Sequence, residues 1–173
     1  YERRLSQTQQ LRLMVYGGER KTTQYQSIPP SAQQNPLHAG GVIDLTRQYG
    51  GLDLRWTGAF TLADRPFELV AGLGYDSLRE WRRGYENYLG SGAAQILGVQ
   101  GRLRRYERNE VWNLDPYAQA TWRFAERWTL EAGLRRSSVH FDSGDRYIVG
   151  SNRDDSGSAR YAKTLPAASL RFQ

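Results

Sequence analysis

Seven arginines fall between Arg79 and Glu110 (Arg79, Arg82, Arg83, Arg102, Arg104, Arg105 and Arg108), set against four glutamates. A guanidinium presents a planar fork of donors that meets carboxylate or phosphate oxygens two at a time, and it stacks on aromatic faces. Trp81, Tyr85, Tyr88 and Tyr106 are interleaved with these cations. The mixture suits an anionic ligand with an aromatic part, and Arg82, Arg83, Tyr85, Tyr88, Arg102, Arg104, Arg105 and Tyr106 are the candidate binding residues. For any single member the competing role is an ordinary cross-strand ion pair, or a contact with lipid phosphate.

Other clusters point to less. Residues 141–158, FDSGDRYIVGSNRDDSGS, carry Asp142, Asp145, Asp154 and Asp155, but the spacing departs from the calcium-loop pattern and reads as a solvated loop. Ser138 and His140 share one face of an extended strand, about 7 Å apart by strand rise, which is too far for the direct hydrogen bond of a nucleophile and its base. No acidic residue stands in register to orient the imidazole, so no catalytic residue and no enzyme is expected. His38 lies alone in a proline-rich stretch and reads as solvated. With no cysteine and two histidines there is no thiolate chemistry and little material for zinc, so neither metal nor cofactor is expected. The net charge of +6 comes from 24 basic residues, of which only Lys21 and Lys163 are lysines. These charges are spread along the chain and not gathered on one arm or helix, which argues against nucleic acid.

The elements that position these groups show a period of two. Six segments alternate apolar and polar residues: near 8–17, 50–61, 66–77, 111–124, 128–141 and 159–172. In the second, Leu52, Leu54, Trp56, Gly58 and Phe60 oppose Asp53, Arg55 and Thr57. In the fifth, Trp128, Leu130, Ala132 and Leu134 oppose Thr129, Glu131, Gly133 and Arg135. Pro116 interrupts the fourth, which a strand tolerates at an edge, bulge or end. Charged residues inside strands need a wet lumen or open solvent. No window reaches the ~20 apolar residues of a spanning helix, and the mean hydropathy is −0.72. Barrel strands average to a polar hydropathy because lipid-facing and lumen-facing residues alternate.

Connections alternate as strictly as side chains. Residues 62–66 and 125–127 form tight turns, whereas the links over about residues 17–49, 77–110 and 142–158 are long and polar. In an up-and-down meander this gathers every short turn at one end and every long loop at the other, the asymmetry of outer-membrane barrels. Trp122, Phe124 and Trp128 flank one short turn and Phe60 and Phe67 the other, as an aromatic girdle would. The expected fold is all-β: an antiparallel up-and-down meander of about six strands forming part of a transmembrane β-barrel in the bacterial outer membrane. The competing reading is a soluble antiparallel protein with a dry interior, disfavoured by charges on one face of every strand.

The run NLDPYAQATWRFAERWTLEAGLR, residues 113–135, resembles the strand, short turn and strand of TonB-dependent outer-membrane receptors. An aromatic-anchored strand ends at Glu126-Arg127 and restarts at Trp128 toward Gly133-Leu134-Arg135. GSARYAKTLPAASLRF, residues 157–172, is similar to the following strand of that family, and residues 51–76 fit the same pattern. The resemblance implies import of a chelated nutrient such as a ferric siderophore, with outer-membrane lipid around the barrel and the TonB system acting through a plug domain. The chain departs from the family in showing neither plug nor TonB box, and it ends in Gln173 where such barrels close on an aromatic. It is therefore expected to be an internal piece of a barrel of about 22 strands. Such a piece on its own is expected to curl or to pair its open edges with another copy. The alternative is a small outer-membrane barrel with an adhesive, structural or lipid-modifying role.

Overall fold

Period-two alternation gives each strand two faces, and the pairing register then joins like faces across the sheet. In a computed structural model that describes residues 1–173, the strands are β1 (Glu2–Arg4), β2 (Gln9–Tyr25), β3 (Val42–Leu62), β4 (Arg65–Tyr85), β5 (Tyr88–Leu89), β6 (Ile96–Leu97), β7 (Leu103–Trp122), β8 (Trp128–Asp145) and β9 (Gly157–Phe172), with a single helical turn α1 (Pro30–Gln33). Seven strands form one antiparallel sheet in the order β1-β2-β3-β4-β7-β8-β9, and β5 and β6 make a small ribbon inside the β4–β7 connection. The sheet is open: β9 is one edge, and β1 with the upper part of β2 is the other.

Two expectations are corrected. The strands run further than the apolar alternation, so the links expected over 17–49, 77–110 and 142–158 shorten to residues 26–41, 86–102 and 146–156. Alternation of apolar residues stops where hydrocarbon stops, but backbone pairing continues and carries polar and charged residues on both faces. A seventh strand, β1, was also not expected. It is joined to β2 by a turn in which Ser6 Oγ accepts the Thr8 N–H at 3.2 Å.

Outward, the register lines up Leu11, Trp56, Ala71, Ala118, Leu134 and Pro166. Next to that row lie Gly58, Leu69, Ala120, Ala132 and Ala168, then Phe60, Phe67, Trp122, Leu130 and Leu170. On β3 the apolar set spans Leu62 to Leu52, ten residue steps, or roughly 25 Å of height for a strand inclined as in such barrels. At the short-turn rim, Trp56, Phe60 and Phe67 form one chain of tilted ring contacts, while Trp122 meets Phe124 and Trp128 meets Phe172. The opposite face carries Arg12, Arg55, Tyr117 and Arg135 in one row, with Asp53 and Asp115 beside it.

Neither face covers a core. Val42 and Val70 are the only buried apolar side chains, while Val15, Leu134 and Leu170 are more than half exposed. A soluble sandwich would hide that surface, so the charged-outside, dry-inside alternative is excluded. Tyrosines lie against glycines on the polar face: the ring of Tyr117 occupies the space a side chain at Gly72 would need, and Tyr49 does the same at Gly18.

Candidate functional site

The polar face forms a hydrogen-bonded wall before it reaches the long loops. In one row across four strands, Arg47 donates to Glu80, Asn109 Nδ2 donates to the other Glu80 oxygen at 3.4 Å, and Ser143 Oγ donates to Asn109 at 2.7 Å. Lower down, Asn113 Nδ2 donates to Asp76 at 3.1 Å. Asp115 accepts from Arg135 at 2.5 Å and from Ser137 Oγ at 2.7 Å. Arg47 with Glu80 and Arg135 with Asp115 are ion pairs, while Asp76 is answered by the Asn113 amide, so this part of the wall offers mainly polar contact.

Above this ladder, the row Leu45, Arg82, Glu107 and Asp145 leads to Gly84 and Arg105. Arg105 Nε lies 2.8 Å from Glu107 Oε1. A cleft of about 130 Å³ opens beside Arg105, lined by Arg104, Arg105 and three carboxylates (Glu107, Asp145, Asp155), with Tyr147 and Asn152 of the third long loop and Leu37 and Ala39 of the first.

The eight sequence candidates do not form one cluster. Arg82 and Arg105 lie on the polar face, at the rim. Arg83, Tyr85 and Tyr106 alternate onto the outward face, where Arg83 sits 5.2 Å from the Tyr106 ring centre and 3.7 Å from Asp44. Tyr88 pairs with Leu97 in the small ribbon. Arg104 falls where the β4–β7 register shifts, and the extra residue re-aims it. Its guanidinium donates to Glu86 Oε1 at 2.9 Å and to the Asn35 carbonyl at 2.5 Å, and its side chain is only 4% exposed. Arg102 shares Glu86 at 2.9 Å yet stands 71% exposed. The Glu86 carboxylate holds Arg102 protonated more firmly than usual.

A knot between the first two long loops was not legible in the sequence. Gln33, fully buried on α1, donates to Asn87 Oδ1 at 2.7 Å and accepts the Asn87 N–H at 3.1 Å. Asn87 Nδ2 donates in turn to the carbonyls of Gln26 (2.7 Å) and Ile28 (3.1 Å). Gly40, at φ 89°, passes so close to Tyr85 that a β-carbon would fall 2.1 Å from its carbonyl oxygen. Glutamine and asparagine carry no periodic signal; only Pro29-Pro30 marked where the turn begins.

The remaining motifs have structural uses. The His140 ring stacks on Trp112 at 3.7 Å and 10° on the outward face, while Ser137 points to the other face and is bonded to Asp115. Asp145 accepts the N–H groups of Tyr147 (2.8 Å) and Asp155 (3.4 Å), and Asp154 accepts that of Ser156 (2.9 Å), so these acids shape the third long loop. Glu126 and Arg127 do not pair; instead Arg123 closes the turn by donating to the Glu126 carbonyl at 2.8 Å.

An antiparallel wall with hydrocarbon-facing residues outside, a polar ladder inside and every long connection at one rim defines a stretch of transmembrane β-barrel. Residues 1–173 match the β-barrel family described as TonB dependent receptor-like, and the chain belongs to that family of outer-membrane receptors and transporters. Among solved structures it is similar to the siderophore receptor PiuA from Acinetobacter baumannii, with TM-score 0.73 and 13% identity over 99% of this chain and 29% of that one. It is also similar to the ferric-catecholate import receptor Fiu from E. coli K12. The open form gives TM-score 0.56 and 10% identity over 98% of this chain and 30% of that one. The closed form gives 0.55 and 10% over 98% and 28%. The chain thus spans less than a third of the length of each of these receptors.

Proposed function

We propose that this stretch is barrel wall and extracellular rim of a bacterial outer-membrane importer, energised through TonB and a plug domain, whose cargo is an anionic iron chelate of the siderophore class. The observation that supports this reading most is the placement of Arg82 and Arg105 on the polar face at the rim. Arg105 lines a cleft under the loops and Arg82 stands one row below it, above a wall in which Arg47 with Glu80 and Arg135 with Asp115 are already ion pairs. The names of the similar receptors, siderophore and ferric-catecholate import, agree in kind. Guanidinium forks at the mouth would meet the carboxylates or catecholates of a chelate, and Tyr147 offers an aromatic face. Once past the rim, the cargo would slide over hydrogen-bonding groups that compensate its lost hydration without binding it tightly.

The test is uptake and binding of labelled ferric chelates by the full-length receptor in iron-limited cells. Arg82→Ala with Arg105→Ala is expected to weaken binding about tenfold or more, since each lost charge-assisted bond is worth about 1.5 kcal/mol. Outer-membrane fractionation of the variant controls for assembly. Arg104 is left intact because its buried pair with Glu86 holds the loop. Unchanged binding and uptake in the double variant would remove this rim as the recognition surface.

A further inference from the structure

All three long loops carry apolar side chains into solvent at the rim. Leu37 on the first is 63% exposed, Leu97 on the second 63%, and Ile148 and Val149 on the third 57% and 58%. The second loop is the most one-sided: residues 87–101 hold no charged residue, although the strands on either side of them are rich in arginine and glutamate. These side chains stand on ordered backbone. Gly98 donates its N–H to the Asn87 carbonyl at 2.8 Å and Gly101 to that of Glu86 at 2.7 Å, which fixes the ribbon where Tyr88 pairs with Leu97. Val149 and Asn152 exchange N–H bonds at 3.2 and 3.0 Å, closing the tip of the third loop.

The four residues gather about the cleft beside Arg105. Leu37 and Asn152 line it from the first and third loops, and Val149, the bridge partner of Asn152, turns its side chain to the same side as Asn152. Tyr147, two residues before Val149, is in the lining as well. The ribbon joins through Arg102. That guanidinium is held protonated chiefly by Glu86 and further by Tyr147 and Tyr88, so the third loop and the ribbon approach one cation. Tyr88 carries Leu97 as its cross-strand partner on the same face. Ionic groups such as Arg105, Glu107 and Asp145 thus occupy the cleft, and an apolar fringe surrounds it. Single exposed aliphatic residues are ordinary on any protein, but a fringe about one polar opening suits a ligand that is itself divided. Four such side chains offer on the order of 400 Å², about half the ~800 Å² per partner of a stable protein contact. A chain of about ten methylene groups, at roughly 30 Å² each, is of the size that such an area covers.

We infer that the cargo is amphiphilic: an iron chelate whose aliphatic tail lies across Leu37, Leu97, Ile148 and Val149 while its chelating head meets Arg105 at the mouth of the cleft. The inference deepens the importer reading above and rests on it. The experiment uses the full-length receptor in lipid nanodiscs and pairs of ferric chelates that share one head, catecholate or carboxylate, and differ only in carrying a hexanoyl or an acetyl group. Displacement of the radiolabelled acetyl member is measured against receptor-free nanodiscs, which report partition of the tail into lipid. The hexanoyl member is expected to displace the label at about tenfold lower concentration than the acetyl member, since partial burial of the added methylenes carries that factor. This comparison needs no variant. Leu97→Asn with Val149→Asn is expected to bring the two members to equal potency. Equal potency in the wild type, with either head bound, would overturn the tail site alone and mean that other loops of the receptor cover these residues. A tenfold preference that survives in the variant would overturn the assignment to this fringe. Binding of neither head would remove the importer reading and the tail site together.

Discussion

Among individual residues, the strongest constraint in the rim is electrostatic and hidden. Glu86 and Arg104 are both nearly excluded from water, and breaking such a pair leaves a bare buried charge. Arg104→Met is therefore expected to destabilise the loop locally by about 3 kcal/mol, seen as faster amide exchange in residues 26–41 and 86–102; Glu86→Gln is expected to cost at least as much, because it strands the buried Arg104 guanidinium whereas Arg104→Met leaves Glu86 its bond from Arg102. Glu110 gives a pH-dependent counterpart. The hydrogen bond from Arg108 lowers its pKa, desolvation opposes the shift and Arg79 adds to the lowering. A depressed carboxylate stabilises the fold above its ordinary value of 4.5 and loses that contribution as pH falls through the lower folded value. Trp81, with Arg79 at 6.0 Å and Arg108 opposite it, reports on this site. Its fluorescence is expected to titrate in the acid range in the wild type and to stay flat in Glu110→Gln. The sequence showed the right residue types here but not their faces. Strands that outrun their apolar pattern set which of Arg82 and Arg83 looks inward, and a bulge re-aims Arg104; neither feature shows in the apolar alternation.

Two strand features carry consequences for the elements. The β3–β4 hairpin turns on Ala63 and Asp64, both at positive φ (50° and 57°), the geometry of a turn that prefers Asn-Gly. An alanine in that conformation costs about 1 kcal/mol. Replacing the pair with Asn-Gly is expected to raise the urea midpoint of the detergent-folded receptor by a corresponding amount. In β7, Pro116 lacks the N–H that a ladder needs, and the pairing with β8 is interrupted between Leu114 and Tyr117 while that with β4 continues. Asp115 closes the gap with its side chain, taking Arg135 and Ser137 of β8 at 2.5 and 2.7 Å. Asp115→Ala is expected to cost about 2 kcal/mol of unfolding stability and to loosen that seam, while Asp115→Asn retains part of the bonding. Six strands and their apolar face were legible because Leu52–Phe60 and Trp128–Leu134 alternate without a break. β1 was not, since three residues are too few to show a period.

For the whole molecule, the open sheet is the governing fact. Its outward band is exposed hydrocarbon-facing surface, its polar face is a wall with nothing packed against it, and β9 presents a full-length unpaired edge. In a closed barrel such an edge pairs with a further strand, so the bonding left open on β9 is where neighbouring wall would attach. Produced alone in detergent, residues 1–173 are expected to satisfy β9 intermolecularly, giving dimers or larger species by analytical ultracentrifugation. Proline is the probe of that edge: Ala162→Pro and Lys163→Pro, on adjacent residues of β9 whose N–H groups point to opposite sides, between them place one ring where an edge-facing N–H would otherwise pair with an incoming strand. One of the two variants is expected to shift the population toward monomer while the other acts mainly on the β8–β9 seam. A monomer in both the parent and the variants would mean that the sheet curls to shield its own edge, and that closure needs no further strand.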